Sequence, residues 1–391
     1  MNTTAANPVS ILARGVKGAA GSKRAGILAD ALCRNDGATL SVTATDLEVC
    51  AVASIAAPSD SPPAESVVST ATGEPVTDRS PADFPAVGTL DGEIVASLRT
   101  TFGTIRRIVD HITPATDSES SRYALGGILL DCEGDGGPAY AVGTDGRRMH
   151  IARFSGHATA GATAIVSPRL FSSFVATVKA TGKVIGRKSL DSDEVSITIS
   201  TRGVEVAWFD DIDGAAARAV CRRMEGRFPD WRRVIGDDAS SIPCVVDAGC
   251  LAPWCAEVTK ATAAAAKAAG AAAVAALPDD QRHGAAVKAV RARAAARGRT
   301  EGSHPRGVRL DRDGATGRGC PMRTGGAFPW SVMLDSTFLG EALAAAAAWS
   351  ETPRVTIHAT NGQSVCRLPG GDWDSGRGAG FLAVVMPLAN D

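Results

Sequence analysis

Aromatic side chains are scarce in this chain, at 5% of 391 residues, with two Tyr, six Trp and ten Phe. A core with so few rings must be filled by aliphatic and small side chains, and Ala and Gly take up the difference. The nine cysteines are an odd number scattered from Cys33 to Cys366 with no Cys-x-x-Cys pair. That excludes a disulfide framework and a zinc ribbon and leaves free reduced thiols. The tightest group, Cys244, Cys250 and Cys255 with His283 further on, lacks the spacing of metal ligands. No run of about 18 apolar residues goes uninterrupted, and no basic start leads through an apolar stretch to a cleavage site. Neither a membrane span nor an export signal is expected, and the chain reads as cytoplasmic. A large charge excess is missing too. The formal net charge of −1 excludes a protein that coats a polyanion through many phosphate contacts, yet allows one whose positive potential is confined to an inner wall. His111, His150 and His358 stand outside any nucleophile elbow or His-Glu-x-x-His frame, and the Gly-rich stretch from Gly370 to Gly380 lacks the Lys-Ser/Thr ending of a phosphate loop. No catalytic residue, cofactor or metal is expected.

What is present is internal repetition. A first copy reads Arg24-Ala-Gly-Ile27-Leu28, then Leu40-Ser-Val42-Thr-Ala44-Thr45-Asp46-Leu47-Glu48-Val49; a second reads Arg122-Tyr-Ala-Leu125-Gly-Gly-Ile128-Leu129-Leu130, then Val142-Gly-Thr144-Asp145-Gly146-Arg147-Arg148-Met149. From Arg to Thr is 21 positions in one copy and 22 in the other. Both show the alternation of half-buried strands, and one supersecondary unit is used twice. Before the second copy, Ile94, Leu98, Phe102, Ile105, Val109 and Ile112 recur at helical steps, which predicts a helix over 94–112 with Arg99, Arg106 and Arg107 on its other side.

Another unit also recurs. Ser167-Pro168 caps a helix carrying Leu170, Phe171, Phe174, Val175 and Val178, followed by a hairpin of Val195, Ile197 and Ile199 with Val204, Val206 and Trp208 across a Thr201-Arg202-Gly203 turn. Near the end, Asp335 caps a helix with Phe338, Leu339 and Leu343, followed by a strand from Arg354, an Asn361-Gly362 turn and a strand through Val365. Residues 256–300 turn Ala-rich around Leu277-Pro278-Asp279-Asp280 and predict a helical hairpin with weakly packing faces. Residues 251–323 hold thirteen Lys and Arg against six Asp and Glu, a charge of +7 that leaves −8 for the rest. The Pro-, Ser- and Thr-rich stretch from Pro58 to Pro85 reads as a loop.

The second copy, with Met224-Glu-Gly-Arg-Phe228-Pro229-Asp230-Trp231-Arg232-Arg233-Val234 after it, resembles in order and spacing the middle domain of the bacterial beta sliding clamp, the DNA polymerase III beta subunit. Thr45-Asp46-Leu47-Glu48 is similar to that family's first domain and Val384-Val385-Met386-Pro387-Leu388 to its C-terminal strand. The likeness covers residues 20–50, 94–236 and 335–388. It implies an α+β fold of three repeated DNA-clamp units, helices lining the inner face and antiparallel sheets outside, over residues 1–88, 89–238 and 239–391, with the Ala-rich insertion at about 256–303. It further implies a homodimeric ring around double-stranded DNA, and DNA polymerase and clamp loader as partners bound through short linear motifs.

DNA contact is carried by the resemblance onto Lys23, Arg24, Tyr123 and Arg169, and helix periodicity adds Arg99 and Arg106. Helices that cross the grooves present cations to phosphates without reading bases, so such a ring can slide. The family's peptide cleft maps onto Leu125, Thr144, Gly146, Arg147, Arg148, Met149, Pro229, Arg233, Val234, Val384 and Met386. There an apolar floor desolvates the partner's anchors and Met adapts to several of them. Departures are an Arg at 147 where the family has His, an Ala at 124 where a second Tyr is common, the insertion, and a first domain short by about 40 residues against a unit of about 120. The shortened domain motivates an alternative, a clamp paralogue acting as a partner-binding adaptor without closing a ring.

Overall fold

A computed structural model describes residues 7–22, 26–59, 64–117, 123–235, 241–276, 287–288, 290, 307–312, 314–317, 320–322, 328–359, 365–373 and 379–388. Contacts divide the chain into two compact units. Unit 1 is Met1–Asp145, Ile151–Pro229 and Arg377–Ala379, and unit 2 is Gly146–His150, Asp230–Gly376 and Gly380–Asp391.

The helices up to Pro229 are α1 (Pro8–Val16), α2 (Phe102–His111) and α3 (Pro168–Val184). The strands are β1 (Ala31–Asn35), β2 (Thr39–Thr45), β3 (Val49–Ala56), β4 (Ala64–Val68), β5 (Ile94–Thr101), β6 (Ile128–Glu133), β7 (Pro138–Thr144), β8 (Arg148–His157), β9 (Gly161–Val166), β10 (Glu194–Ser200), β11 (Gly203–Asp210) and β12 (Ala215–Arg222). In unit 1 an eight-stranded antiparallel sheet runs β4-β1-β2-β3-β12-β11-β10-β5. Strand β3, which follows the first sequence repeat, pairs there with β12, which follows the 195–208 hairpin, from Val49↔Cys221 to Ser54↔Ala216. Alternation explains the strands: Leu40, Val42 and Ala44 of β2 and Val204, Val206 and Trp208 of β11 all point into the core. Helices α1 and α3 cover that face, and Phe102 of α2 meets Phe174 of α3 with ring centroids 6.4 Å apart. Fully burying each of Phe171, Phe174 and Trp208 stabilises the unit by about 1.5–3 kcal/mol.

The expected helix over 94–112 is half strand. Ile94–Thr101 forms β5, paired to β10 with Leu98↔Ile197 and Arg99↔Ser196. Ala96, Leu98 and Thr100 are buried with a period of two, and the β-branched Thr100-Thr101 ending favours extended backbone. The helix starts at Phe102, where the Thr101 hydroxyl accepts from the Thr104 N–H at 3.3 Å. Arg99 consequently sits on a strand. The expected loop from Pro58 to Pro85 also holds β4, an edge strand against β1 with Val67 and Val68 buried and Glu65 paired to Arg34. Its five residues are too few and too polar to show a clear period.

Unit 2 holds α4 (Trp231–Ile235), β13 (Ile242–Asp247), α5 (Ala248–Ala275), β14 (Gly307–Asp311), β15 (Gly314–Gly317), β16 (Cys320–Met322), β17 (Val332–Asp335), α6 (Ser336–Ser350), β18 (Arg354–Ala359), β19 (Cys366–Gly371) and β20 (Gly380–Val385). Strands β13-β18-β19-β20 form one antiparallel array, and β16-β15-β14-β17 form a separate four-stranded sheet. Asp335 caps α6 by accepting from the Thr337 N–H at 2.8 Å, as its position predicts. The Ala-rich segment starts as α5, whose Leu251, Trp254, Cys255, Val258, Thr262, Ala266 and Gly270 bury one face, with α6 packed alongside. The second arm of the expected hairpin and the Asn361-Gly362 turn lie outside the described residues. Among those described, no helix is long and apolar enough to cross a membrane.

Candidate partner-binding and DNA-facing sites

The turn from β7 to β8 places the residues the sequence singles out. Gly146 takes a φ of +84°, a left-handed conformation that favours glycine, and lets the chain reverse between Thr144 and Arg147. Within unit 2, Arg147 O accepts the Met386 N–H at 3.0 Å, so the end of β20 is tied to this turn. Met149 and Val384 are buried, whereas Met386 keeps 40% of its surface exposed. A flexible thioether above an apolar floor is what an inserted side chain needs. Arg148 is buried, ion-paired to Glu341 of α6, and its guanidinium lies 4.4 Å from the Phe338 ring centroid. Behind it, His150 meets the edge of Phe381 at 5.4 Å, and Trp349 stacks on Phe381 at 5.9 Å.

Gly146, Arg147, Arg148, Met149, Val384 and Met386 thus share unit 2. Arg233 and Val234 are exposed on α4 of the same unit, beside a buried Trp231 that carries Arg232 over its ring at 4.2 Å. Leu125 and Thr144 are buried in unit 1, and Pro229 is exposed there. Sequence reasoning missed Glu341 and the Trp349–Phe381 stack. Spacing could have found Trp349, eleven residues and three helical turns beyond Phe338 on α6, but nothing in the sequence marks Glu341 as the partner of Arg148.

The residues assigned to DNA contact fare unevenly. Lys23 and Arg24 lie outside the described residues, and Tyr123 opens a short helical turn, Tyr123–Gly126. Arg169 on α3 is ion-paired to Asp46 and donates to Gly18 O at 2.8 Å, so it fastens the Thr45-Asp46 turn to the end of α1. Arg106 on α2 pairs with Asp191 at 2.9 Å. Arg99 pairs across strands with Glu194 at 3.0 Å. Three lysines escaped the sequence reading: Lys17 at the end of α1 and Lys179 and Lys183 on α3 are exposed. None of the three has an ion pair with any described residue. The signal was there, since Lys179 and Lys183 are four apart on the side of α3 opposite Leu170, Phe174 and Val178.

Nucleophilic or metal chemistry finds little support in the thiols. Burial pushes Cys50 up to about 12, with Arg218 pulling slightly the other way, and burial also pushes Cys221 and Cys366 up to about 12. Among the described residues no group of three His, Cys, Asp or Glu is placed to hold a metal ion.

No family model matches the chain. A curated beta sliding clamp from Treponema pallidum is 27% identical over 162 residues, 41% of this chain and 38% of that relative's length, so the sequence match spans well under half of either. Solved structures align end to end. The DNA polymerase III beta subunit of Thermotoga maritima matches with a TM-score of 0.68 at 14% identity, covering 98% of both chains. A sliding clamp from Pseudomonas aeruginosa bound to griselimycin matches at 0.63 and 17% identity, covering 98% of this chain and 96% of that one. The Helicobacter pylori beta clamp bound to a DNA ligase peptide matches at 0.61 and 11% identity, covering 99% of each. Antiparallel sheets backed by helices, repeated along a chain that aligns throughout with these structures, define a DNA-clamp fold. More particularly, the fold is similar to that of the bacterial beta sliding clamps, and part of the sequence is similar to one of them.

Proposed function

We propose that this chain is a sliding clamp, a non-catalytic processivity factor. It encircles duplex DNA as a homodimer and recruits polymerase, clamp loader and repair proteins through short linear motifs. The observation that carries this reading is the unit 2 junction, where Arg147 O accepts the Met386 N–H beside the Gly146 turn, with Met386 exposed and Met149 and Val384 buried. The DNA ligase peptide on the Helicobacter pylori relative supports a peptide as the occupant. In this reading the chain has three domains, 1–88, 89–238 and 239–391, and acts in the cytoplasm. Arg233 and Val234 complete the cleft within unit 2, while Lys23, Arg24, Tyr123, Arg106 and the lysines at 17, 179 and 183 face phosphates. Arg99, on a strand and paired to Glu194, and Arg169, tied to Asp46 and Gly18 O, leave that set.

The test is a titration with a Gln-x-x-Leu-Phe peptide. Met386→Ala removes an exposed anchor without opening the core, and affinity is expected to fall roughly tenfold, as for a central interface side chain. The Met149→Ala, Met386→Ala double variant is expected to abolish binding. Equal affinity for all three proteins would end the cleft assignment. Retention on nicked circular DNA, with mass in solution, tests the ring; a monomer that never stays on the circle would sink it and leave an adaptor.

A further inference from the structure

Unit 1 contains the same junction a second time. In the first repeat Glu48 O accepts the Arg222 N–H at 3.3 Å, as Arg147 O accepts the Met386 N–H at 3.0 Å in unit 2. Glu48 and Arg147 are both fourth in a Thr-Asp-x-x turn, and the third residue is left-handed in both, Leu47 at +75° and Gly146 at +84°. Arg222 ends β12 as Met386 follows β20. The junction in unit 1 opens on a cleft of about 890 Å³, bounded on one side by the Val87-Gly88 loop and on the other by Met224.

That volume falls within the range of ligand-binding pockets. Leu47 stands at its mouth with 53% of its surface exposed, although its backbone conformation is one that glycine would adopt at less cost. The turn is fixed by the Thr45 hydroxyl, which accepts the Leu47 N–H at 2.9 Å, and by the Asp46 carboxylate, which accepts the Glu48 and Val49 N–H groups, so Leu47 is held out toward solvent on a set backbone. The electrostatics differ from those of unit 2. Arg202 is paired with Asp91, and Arg223 donates to Thr163 O; the exposed Arg222 side chain has no hydrogen bond or close ion pair with any described residue, although its charge helps Arg202 hold the Asp91 carboxyl below the usual carboxylate range. Glu48, Asp91 and Glu225 are matched around the cleft by Arg202, Arg222 and Arg223, so it carries no excess charge of either sign and has nothing to hold a polyanion.

We infer that this cleft is a second docking site, for an extended segment of a partner protein that lays an apolar side chain on Leu47 and Met224 and one carboxylate on Arg222. The comparison between junctions rests on the reading of unit 2 as a peptide cleft. The substitutions at matching positions set a different preference: Leu47 for Gly146, Glu48 for Arg147 and Arg222 for Met386. One partner can then engage unit 2 while another, bearing an acid beside its apolar anchor, engages unit 1.

The test uses two photoreactive pentapeptides, Gln-Leu-Ala-Leu-Phe and Gln-Leu-Asp-Leu-Phe, cross-linked to the full chain and mapped by mass spectrometry. The acid-bearing peptide is expected to label fragments around Leu47 and Met224 roughly fivefold more than the neutral one. Arg222→Glu is expected to remove that labelling and leave the fragments around Met149 and Met386 unchanged. Leu47→Gly suits the backbone and keeps the fold, and is expected to weaken unit 1 labelling alone. Labelling confined to unit 2 would overturn this inference and leave the peptide-cleft reading intact. Unit 1 labelling indifferent to Arg222→Glu would overturn it as well. Labelling of unit 1 alone would uphold it and remove the reading of unit 2, and labelling of neither would remove both.

Discussion

Replacing Gly15 with alanine sets two effects against each other, and the structure decides between them. Gly15 lies on α1 where it crosses α3; a Cβ there would stand 2.4 Å from Ala180 Cβ and 3.4 Å from Ala176 O. Two methyl carbons need about 3.5–4.0 Å, so the helices must separate by roughly 1 Å or α1 must turn. Helix propensity alone favours alanine by about 1 kcal/mol. Overpacking costs about 1–3 kcal/mol, and neither Cβ can rotate away, so the upper half of that range applies. The expected outcome is a net loss of about 1–2 kcal/mol. It should be read by urea unfolding, with hydrogen exchange of the α1 and α3 amides locating the loss in unit 1. Ala180→Gly restores the space at a helix-propensity cost of about 1 kcal/mol of its own, so the double variant should recover the loss, with a coupling of about 2–3 kcal/mol. A Gly15→Ala protein more stable than its parent by about 1 kcal/mol, with no coupling to position 180, would show that α1 and α3 do not approach this closely.

Arg187 holds Asp193 at 2.7 Å and Asp210 as well, and Trp208 Nε1 donates to Asp193 at 3.0 Å. Arg187→Met strands two shielded carboxylates and is expected to cost about 3 kcal/mol by denaturant unfolding, where an exposed pair would cost almost nothing. Backbone N–H bonds from Asp213 and Ile212, with help from Arg187, hold the Asp210 carboxyl below the usual carboxylate range. Its contribution to stability is therefore complete above about pH 4 and is lost as pH falls through the depressed value. Asp210→Asn should flatten that acid limb of the unfolding curve, and an unchanged limb would remove Asp210 from the account.

Much of the fold was legible because its signals are local. Ser167-Pro168 and Asp335 announce helix starts through their own side chains, and the alternation of Val195 to Ile199 and Val204 to Trp208 gives the hairpin its register. The 94–112 segment misled because Ile94, Leu98 and Phe102 fit a helical step by coincidence of a strand period with the helix that follows it. Only the pairing of β5 with β10, a partner about 95 residues away in sequence, decides between them. The Thr144–Met149 turn and the Val384–Met386 strand end drew attention by resemblance, yet Glu341 did not, because a salt bridge between distant positions leaves no periodic trace. The repeat was visible as Thr45-Asp46 and Thr144-Asp145; that its junction geometry also repeats, down to the accepting carbonyls of Glu48 and Arg147, is a property of strand neighbours that no single stretch encodes.

Charge pairing also fixes which cations can serve DNA, and the ranking is testable. A phosphate contact needs a cation whose current partner is weak or absent. Arg169 is tied to Asp46, whose carboxylate is 16% exposed and also accepts from the Glu48 and Val49 N–H groups, so turning it to solvent breaks a turn. Arg99 and Glu194, at 78% and 64% exposed, form a pair worth little, but it sits on a strand rather than a helix. Lys179 and Lys183 are exposed on α3 without such ties to described residues. Each phosphate neutralised contributes about 0.9 to the slope of log K against log salt for duplex DNA. The Lys179→Gln, Lys183→Gln double variant should therefore lower that slope by roughly 2, measured by fluorescence anisotropy over a salt series. Arg99→Ala should leave the slope unchanged, and Arg169→Gln should lower unfolding stability more than it lowers the slope. If Arg99→Ala reduced the slope while the lysine pair did not, the sheet face rather than the helix face would meet the duplex, and the inward-facing helices on which the clamp reading depends would be excluded.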